Sequence, residues 1–269
     1  MTDTQTEIAD LAEDLAGAER DRAPVAPLTE RVPGLTVADA YEIQRRNVER
    51  RTQDGERLVG RKIGLTSKPM QQMLGVDEPD FGALLEGMRV EDGDAVAVET
   101  LIQPRIEAEL AFVMGEDLRG PGVDALTVAR AVAGVVPALE VIDSRVADWR
   151  IALADTVADN ASSARYVLGA TLTPIAGLDL RLLGVVLTRS GEVVSTGAGA
   201  AALGSPLRCV AWLANKLGEY GDGLRAGDVV LSGALHAAVD VAAGHVVRAE
   251  FSQLGAVTVR FTSSQGGDS

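Results

Sequence analysis

Two carboxylates stand two residues apart in the segment "IEAELAFVM", which runs from 106 to 114. Successive side chains of an extended strand point to opposite faces, so Glu107 and Glu109 look the same way, beside Ala111 and Val113. A strand this apolar that aims two charges at one spot has two readings. One is the wet face of a half-buried strand; the other is a pair of oxygen ligands. Glu140 bears on the choice. It lies in "GVVPALEVID", which is otherwise apolar from Val135 to Ile142 with a break expected at Pro137, and no basic residue lies within four positions of it. A buried carboxylate is costly unless it is paired or coordinated. A distant Lys or Arg is one partner for Glu140. The alternative is an oxygen-rich site built by three carboxylates from two strands. Such a site suits Mg2+ or Mn2+ and leaves positions for water and substrate.

Other groups could join that chemistry. Lys62 stands in "VGRKIGLTS", where Arg61 and Lys62 point to opposite faces of a strand. It is either a solvated side chain or, beside a metal, a group that orients an anionic substrate or moves protons. Asp80 in "DEPDFG" reads on pattern alone as a turn residue. Asp159, Asn160 and Ser162 in "ADNASS" form a turn or cap, or present donors to a carboxylate. The chain has only two histidines, His236 and His245, so a Ser-His-Asp triad or a multi-histidine zinc site would have to use these. Any metal therefore falls to carboxylate oxygens. His236 sits either at a pocket mouth or on the surface. Cys209 reads as a core residue of an amphipathic helix. "GAGAA" at 197–201 lacks the G-K-[ST] ending of a phosphate loop.

The elements that must hold these groups follow from periodicity and punctuation. Residues 5–20 have the pattern of an amphipathic helix. "LTVADAYEIQRRNVERR" predicts a second, with Thr36 and Asp39 spaced as a capping box. A strand is expected to end at Gly64, followed by a short helix capped by Ser67. "VDEPDFGALLEGMRV" reads as loop-rich, with Pro79 and Gly82. "ALTVARAVAGVV" looks helical up to the apolar run that holds Glu140. The last third is mostly strands. It includes a hairpin turning at Ser190-Gly191 and the segments "DVVLSG", "HVVRAEF" and "AVTVRF", expected to complete one sheet. One helix interrupts it, with Ser205 as cap, Pro206 first and Gly221 past its end. Helices early and strands late favour an α+β fold.

Composition removes several partners. The formal charge is −14, which repels phosphate backbones, so nucleic acid is excluded as a partner. The same charge repels an anionic substrate, so an acid-binding site must contain something cationic. No apolar run is long enough for a membrane span. The acidic N-terminal stretch lacks the basic start and apolar middle of a signal peptide. A single cysteine precludes an intrachain disulfide and fits a reducing cytoplasm.

Six blocks, "GRKIGLTS", "GVDEPDFG", "IEAELAFV", "PALEVIDSRVADWRI", "DTVADNASS" and "LGSPLRCVAWLAN", occur in the order seen in the fumarylacetoacetate hydrolase superfamily. The chain resembles most its 2-oxopent-4-enoate (2-hydroxypenta-2,4-dienoate) hydratases and the sister 4-oxalocrotonate decarboxylases, over about residues 5–262. The resemblance implies a mixed β-sandwich roll with flanking helices; together with the sequence pattern this predicts an N-terminal helical layer over 1–60, a catalytic β-rich domain over 61–262, and a disordered tail over 263–269. It implies Mg2+ or Mn2+ at Glu107, Glu109 and Glu140, an acid/base pair of Lys62 and Asp80, and substrate contact by Ser162 as well as Lys62. It also implies a small 2-oxo acid substrate from meta-cleavage catabolism, and a homo-oligomer. "DEPDFG", "MQQMLGVD" and "ADWRI" are similar to the hydratases, while "SSARYV" and "SGALHAAV" lean towards the decarboxylases. Ser205 stands where histidine or asparagine is frequent, and Phe81 where tyrosine is frequent. Hydration is the expected reaction and decarboxylation the alternative. A non-catalytic module that captures oxo acids and metal is the competing class.

Overall fold

The computed structural model describes residues 2–263, with side chains described from residue 6. The helices are α1 (Thr2–Asp21), α2 (Leu28–Arg31), α3 (Val37–Gln53), α4 (Lys68–Leu74), α5 (Ala125–Ala131), α6 (Leu153–Ala158) and α7 (Pro206–Glu219). The strands are β1 (Leu58–Gly64), β2 (Asp80–Leu85), β3 (Arg89–Val90), β4 (Ala95–Ala97), β5 (Arg105–Met114), β6 (Val132–Ile142), β7 (Ser163–Leu168), β8 (Gly184–Arg189), β9 (Glu192–Ala198), β10 (Val229–Leu231), β11 (Val239–Asp240), β12 (Val246–Phe251) and β13 (Gly255–Thr262). No helix among the described residues is long and apolar enough to cross a membrane.

Two sheets form. The larger runs β2-β1-β10-β5-β6-β7-β3, with β11 also paired to β5; the smaller runs β4-β13-β12-β8-β9. β5 and β6 are antiparallel over their whole length, and β1 joins β10 in parallel. Alternation divides the two faces of the larger sheet. Ile106, Ala108, Leu110 and Phe112 of β5 and Leu139 and Val141 of β6 share one hydrophobic core with Val247, Ala249, Val257 and Val259 of the smaller sheet. The opposite face carries Ala111, Val136, Ala138, Tyr166 and Leu231 in a smaller apolar cluster. Glu107, Glu109 and Glu140 belong to this second face. The helical N-terminal segment packs α1 on α3 and α3 on α6. Thr36 and Asp39 form the expected reciprocal cap of α3.

Four expectations need correction. The segment around Asp80 is not a loop: residues 80–85 form β2, buried along its entire length and paired with β1. Pro79 ends the loop before it, and Gly82 lies inside it. Pro137 does not break its strand. Its carbonyl accepts from Gly169 N at 2.8 Å, where β7 has ended, so the missing proline N–H falls where the ladder needs no donor. The helix over 125–136 stops at Ala131, because Val132 onward is claimed by pairing with β5. "DVVLSG" supplies β10, which sits between β1 and β5 in the larger sheet and not beside β12 and β13. Ser205 holds the N-cap position of α7 but makes no side-chain cap bond. All of the expected tail except Ser263 lies outside the described residues.

Candidate metal centre and active site

The cross-strand ladder sets the three carboxylates. Glu107 lies directly opposite Glu140, and Glu109 opposite Ala138. All three therefore project from one face of neighbouring strands. One oxygen from each falls within 4.8 Å of the others. Glu109 and Glu140 are buried, while Glu107 reaches the edge of the site. Ser163 Oγ donates to Glu140 Oε1 at 2.8 Å, and Gly233 N donates to Glu109 Oε2 at 2.7 Å. Gly233 has φ +102°, and a Cβ there would lie 2.3 Å from Thr66 Oγ1. Glycine lets this backbone turn its N–H onto the carboxylate.

Lys62 reaches the same face from β1, through the row Lys62, Leu231 and Ala111. Its side chain is only 4% exposed. Nζ donates to Ala161 O at 3.0 Å and lies 3.2 Å from Glu140 Oε2, out of line for a hydrogen bond. Burial pulls the lysine pKa down, but Glu140, Asp80, Glu109 and Glu107 together outweigh it and hold the ammonium above its ordinary value. Asp80 shares the space over Gly64 with Lys62. A Cβ on Gly64 would sit 2.2 Å from Asp80 Oδ1 and 3.4 Å from Lys62 Nζ. Gly64→Ala is thus expected to push these two groups apart. Turnover should fall, and stability should drop by about 1–3 kcal/mol through overpacking. Urea melts alongside an activity assay check both; an unperturbed variant would show that the space over Gly64 is not needed.

Two buried oxygens here have no hydrogen-bond partner among the described residues: Glu140 Oε2 and Asp80 Oδ1. Asp80 Oδ2 has only a long contact with Thr156 Oγ1, at 3.5 Å. Orphaned buried acceptors are costly and mark places where an ion or polar ligand belongs. Oxygen donors in this number and spacing fit a hard divalent cation.

The charge state agrees with that fit. Burial pushes Glu107 up to about 7, with Lys62 pulling down and Glu140 pushing further up. Burial, then the charges of Glu140 and Glu107, hold Glu109 well above the usual carboxylate range. Burial also raises Asp80, against the pull of Lys62. A cation must displace the protons on its ligands. With Glu107 pushed to about 7, affinity weakens as pH falls through that value, and the raised Glu109 adds a loss of its own. Calorimetric titration with Mn2+ is expected to show ~10-fold tighter binding near pH 8 than near pH 6 from Glu107 alone. A flat affinity over that window would mean the ligands enter already ionised.

The remaining candidates take different places. Ser162 is buried, and its Oγ lies 3.5 Å from Thr156 Oγ1; the hydroxyl that touches a candidate ligand is the adjacent Ser163. Asp159 pairs with Arg145, away from the carboxylates, and Asn160 bonds the backbone of Ala83. The Phe81 ring stacks on Tyr41, with centroids 4.5 Å apart, on the opposite side of β2 from Asp80. His236 is half-buried beside the carboxylate strand. Its Nε2 accepts from Ala108 N at 3.0 Å, between the two β5 glutamates, while Nδ1 lies 2.7 Å from Ala237 O. The ring therefore carries its proton on Nδ1 and replaces a missing strand carbonyl where β10 and β11 leave β5 unpaired. Cys209 is buried, and burial pushes its thiol up, away from nucleophilic use. Ser163, Gly233 and Arg145 are not among the candidates the sequence offers, and the doubled serine in "ADNASS" is a local signal for Ser163 alone.

Comparison with known proteins shows what the whole chain is similar to. The model of the fumarylacetoacetate (FAA) hydrolase C-terminal family matches residues 61–262. The chain is 50% identical over 265 residues to a 2-keto-4-pentenoate hydratase of Paraburkholderia xenovorans (strain LB400), covering 98% of both chains. It is 44% identical over 247 residues to a 2-hydroxyhexa-2,4-dienoate hydratase of Comamonas testosteroni, covering 91% of this chain and 94% of that one. Among solved structures it is similar to a 4-oxalocrotonate decarboxylase from Pseudomonas putida G7, complexed with magnesium and adipate. The TM-score is 0.92 at 40% identity, covering 97% of this chain and 99% of that one.

Proposed function

The chain belongs to the fumarylacetoacetate hydrolase family, and on that premise we propose that it is a metal-dependent hydro-lyase. It adds water to 2-oxopent-4-enoate, in its enol form 2-hydroxypenta-2,4-dienoate, or to a close homologue. The product is 4-hydroxy-2-oxopentanoate. The observation that carries this reading is the ladder of Glu107, Glu109 and Glu140 facing one buried lysine, with a Glu140 oxygen held by that lysine's charge alone and a buried Asp80 oxygen that has no hydrogen-bond partner. The 50% identity to a hydratase over nearly the whole chain supports hydration over the sister reaction.

Glu107, Glu109 and Glu140 would hold the cation, Mg2+ or Mn2+. When bound it would supply Lewis acidity towards a 2-oxo acid. The chain's own residues then have three tasks. The Lys62 ammonium offsets the surplus of carboxylates and gives an anionic substrate a reason to enter this acidic protein. A proton must reach C5 of the dienol as the C2 hydroxyl loses its own, and a second must reach C3 once water has added at C4. Lys62 and Asp80 flank the carboxylates and are the groups we assign to those transfers. Ser162 is the residue we assign to substrate contact, beside Lys62.

The second reading is decarboxylation of 2-oxo-3-hexenedioate, favoured by the likeness to the decarboxylase complex. The lesser one is capture of an oxo acid without turnover. A spectrophotometric assay with freshly made 2-hydroxypenta-2,4-dienoate and Mg2+ separates the three. Loss of the dienol with appearance of a hydroxy-oxo acid supports hydration. Inertness there, with CO2 released from the six-carbon diacid, supports decarboxylation. No change with either acid leaves the binding module. We further propose a cytoplasmic homo-oligomer, the compartment supported by the lone buried Cys209. Sedimentation analysis tests the assembly.

A further inference from the structure

Asn160, Ala161 and Ser162 have φ of +54°, +50° and +55°, three consecutive residues in the left-handed region, and none is glycine. Left-handed backbone crowds Cβ against the carbonyl, so L-residues adopt it rarely and singly. Ala161 has no side-chain hydrogen bond to offset that cost. A run like this persists only when its surroundings over-determine it.

The surroundings do so from both ends. Arg145, buried in full, spans the turn. Its Nε pairs with Asp159 Oδ1, its Nη2 donates to Asp159 O at 2.6 Å, and its Nη1 donates to Ser163 O at 3.3 Å. Arg145 N also donates to Asp159 Oδ2, at 2.9 Å. Between these anchors, Asn160 Oδ1 and Nδ2 bond the N–H and carbonyl of Ala83, and its own carbonyl packs where Gly82 has no Cβ. The turn reaches the lysine directly: Ala161 O accepts from Lys62 Nζ at 3.0 Å. Behind the turn lies a small cavity lined by Leu15, Glu19, Arg51, Arg145, Asn160 and Ser163. The turn has somewhere to relax if it is released.

We infer that Arg145, through its pair with Asp159, is a positioning residue for Lys62: it clamps a strained left-handed turn whose Ala161 carbonyl aims the lysine ammonium. The guanidinium fork is essential, because a lysine in its place cannot hold Asp159 and Ser163 together. The inference rests on the reading of Lys62 as a proton-carrying group.

The test uses the full chain, with and without Mn2+. In Arg145→Lys, kcat on the dienoate is expected to fall about tenfold while KM and Mn2+ affinity stay within about twofold. Amide exchange over 159–163 in the metal-free variant should accelerate by about tenfold or more. Adding Ala161→Gly removes the conformational cost at the centre of the turn, so the double variant should recover most of the lost kcat. Asp159→Asn gives the same pattern if Arg145→Lys folds poorly. Unchanged exchange over 159–163, a joint fall of kcat, KM and metal affinity, or failure of the glycine to rescue would each overturn the inference. A wild-type protein inert towards both acids would sink the proposed function instead, and the exchange measurement would still decide whether Arg145 holds the turn.

Discussion

Glu140→Gln is expected to cut metal-supported turnover by at least ~10³-fold while the protein still folds. A bound cation stabilises developing charge by several kcal/mol, and each decade in rate corresponds to about 1.4 kcal/mol. Glu140 is the best placed of the three acids to show this. It is fully buried on β6, with β5 and β7 paired on either side. Glutamine keeps its volume and can still accept from Ser163 Oγ. What disappears is the charge on Oε2, the oxygen that faces Lys62 and has no hydrogen-bond partner. The amide would turn a donor towards the ammonium instead. Mn2+ affinity should fall by more than the ~10–100-fold that loss of an outer contact costs. Steady-state assays across a Mn2+ series, with a thermal melt as control, read all three quantities. Full activity after exhaustive chelation would remove the metal from the account.

Lys62→Ala separates chemistry from cation binding. Turnover is expected to drop by ~10²–10⁴-fold, the usual contribution of a positioned proton-transfer group. Metal affinity should hold or tighten, because the variant removes a positive charge 3.2 Å from one candidate ligand. Asp80 would lose the cation that now pulls its pKa down, and would stay protonated to higher pH. Calorimetry with Mn2+ beside single-turnover rates gives the two numbers. Equal losses in both would assign Lys62 to structure.

The acids were legible in the sequence for a simple reason. Glu107 and Glu109 stand in strict alternation, and Glu140 interrupts an apolar run, so period and polarity both register locally. Asp80 was misread because Pro79 and Gly82 are the strongest turn signals there are. Neither acts as a turn here. Gly82 is needed because a side chain would strike the carbonyl of Asn160, a residue far away in sequence. The division of the last third between two sheets was equally hidden. β10 is three residues long and pairs with two strands from earlier in the chain, which its own pattern does not encode. The same holds for Gly233, His236 and Arg145. Gly233 acts through its own N–H, and His236 and Arg145 through backbone atoms of other segments; backbone atoms leave no mark on residue type.

The place of β10 in the larger sheet has a consequence for how the protein comes into being. The acidic half of the site is built by β5 and β6, neighbours along the chain that pair with each other directly. Within the sheet, the strand of Lys62 joins them across β10, through a parallel pairing that links the first quarter of the chain to the last. Such long-range pairing is slow to form because the loop entropy must be met before any contact rewards it. We expect the three glutamates to come together before β10 draws the lysine strand alongside them, so that the complete site is a late product of folding.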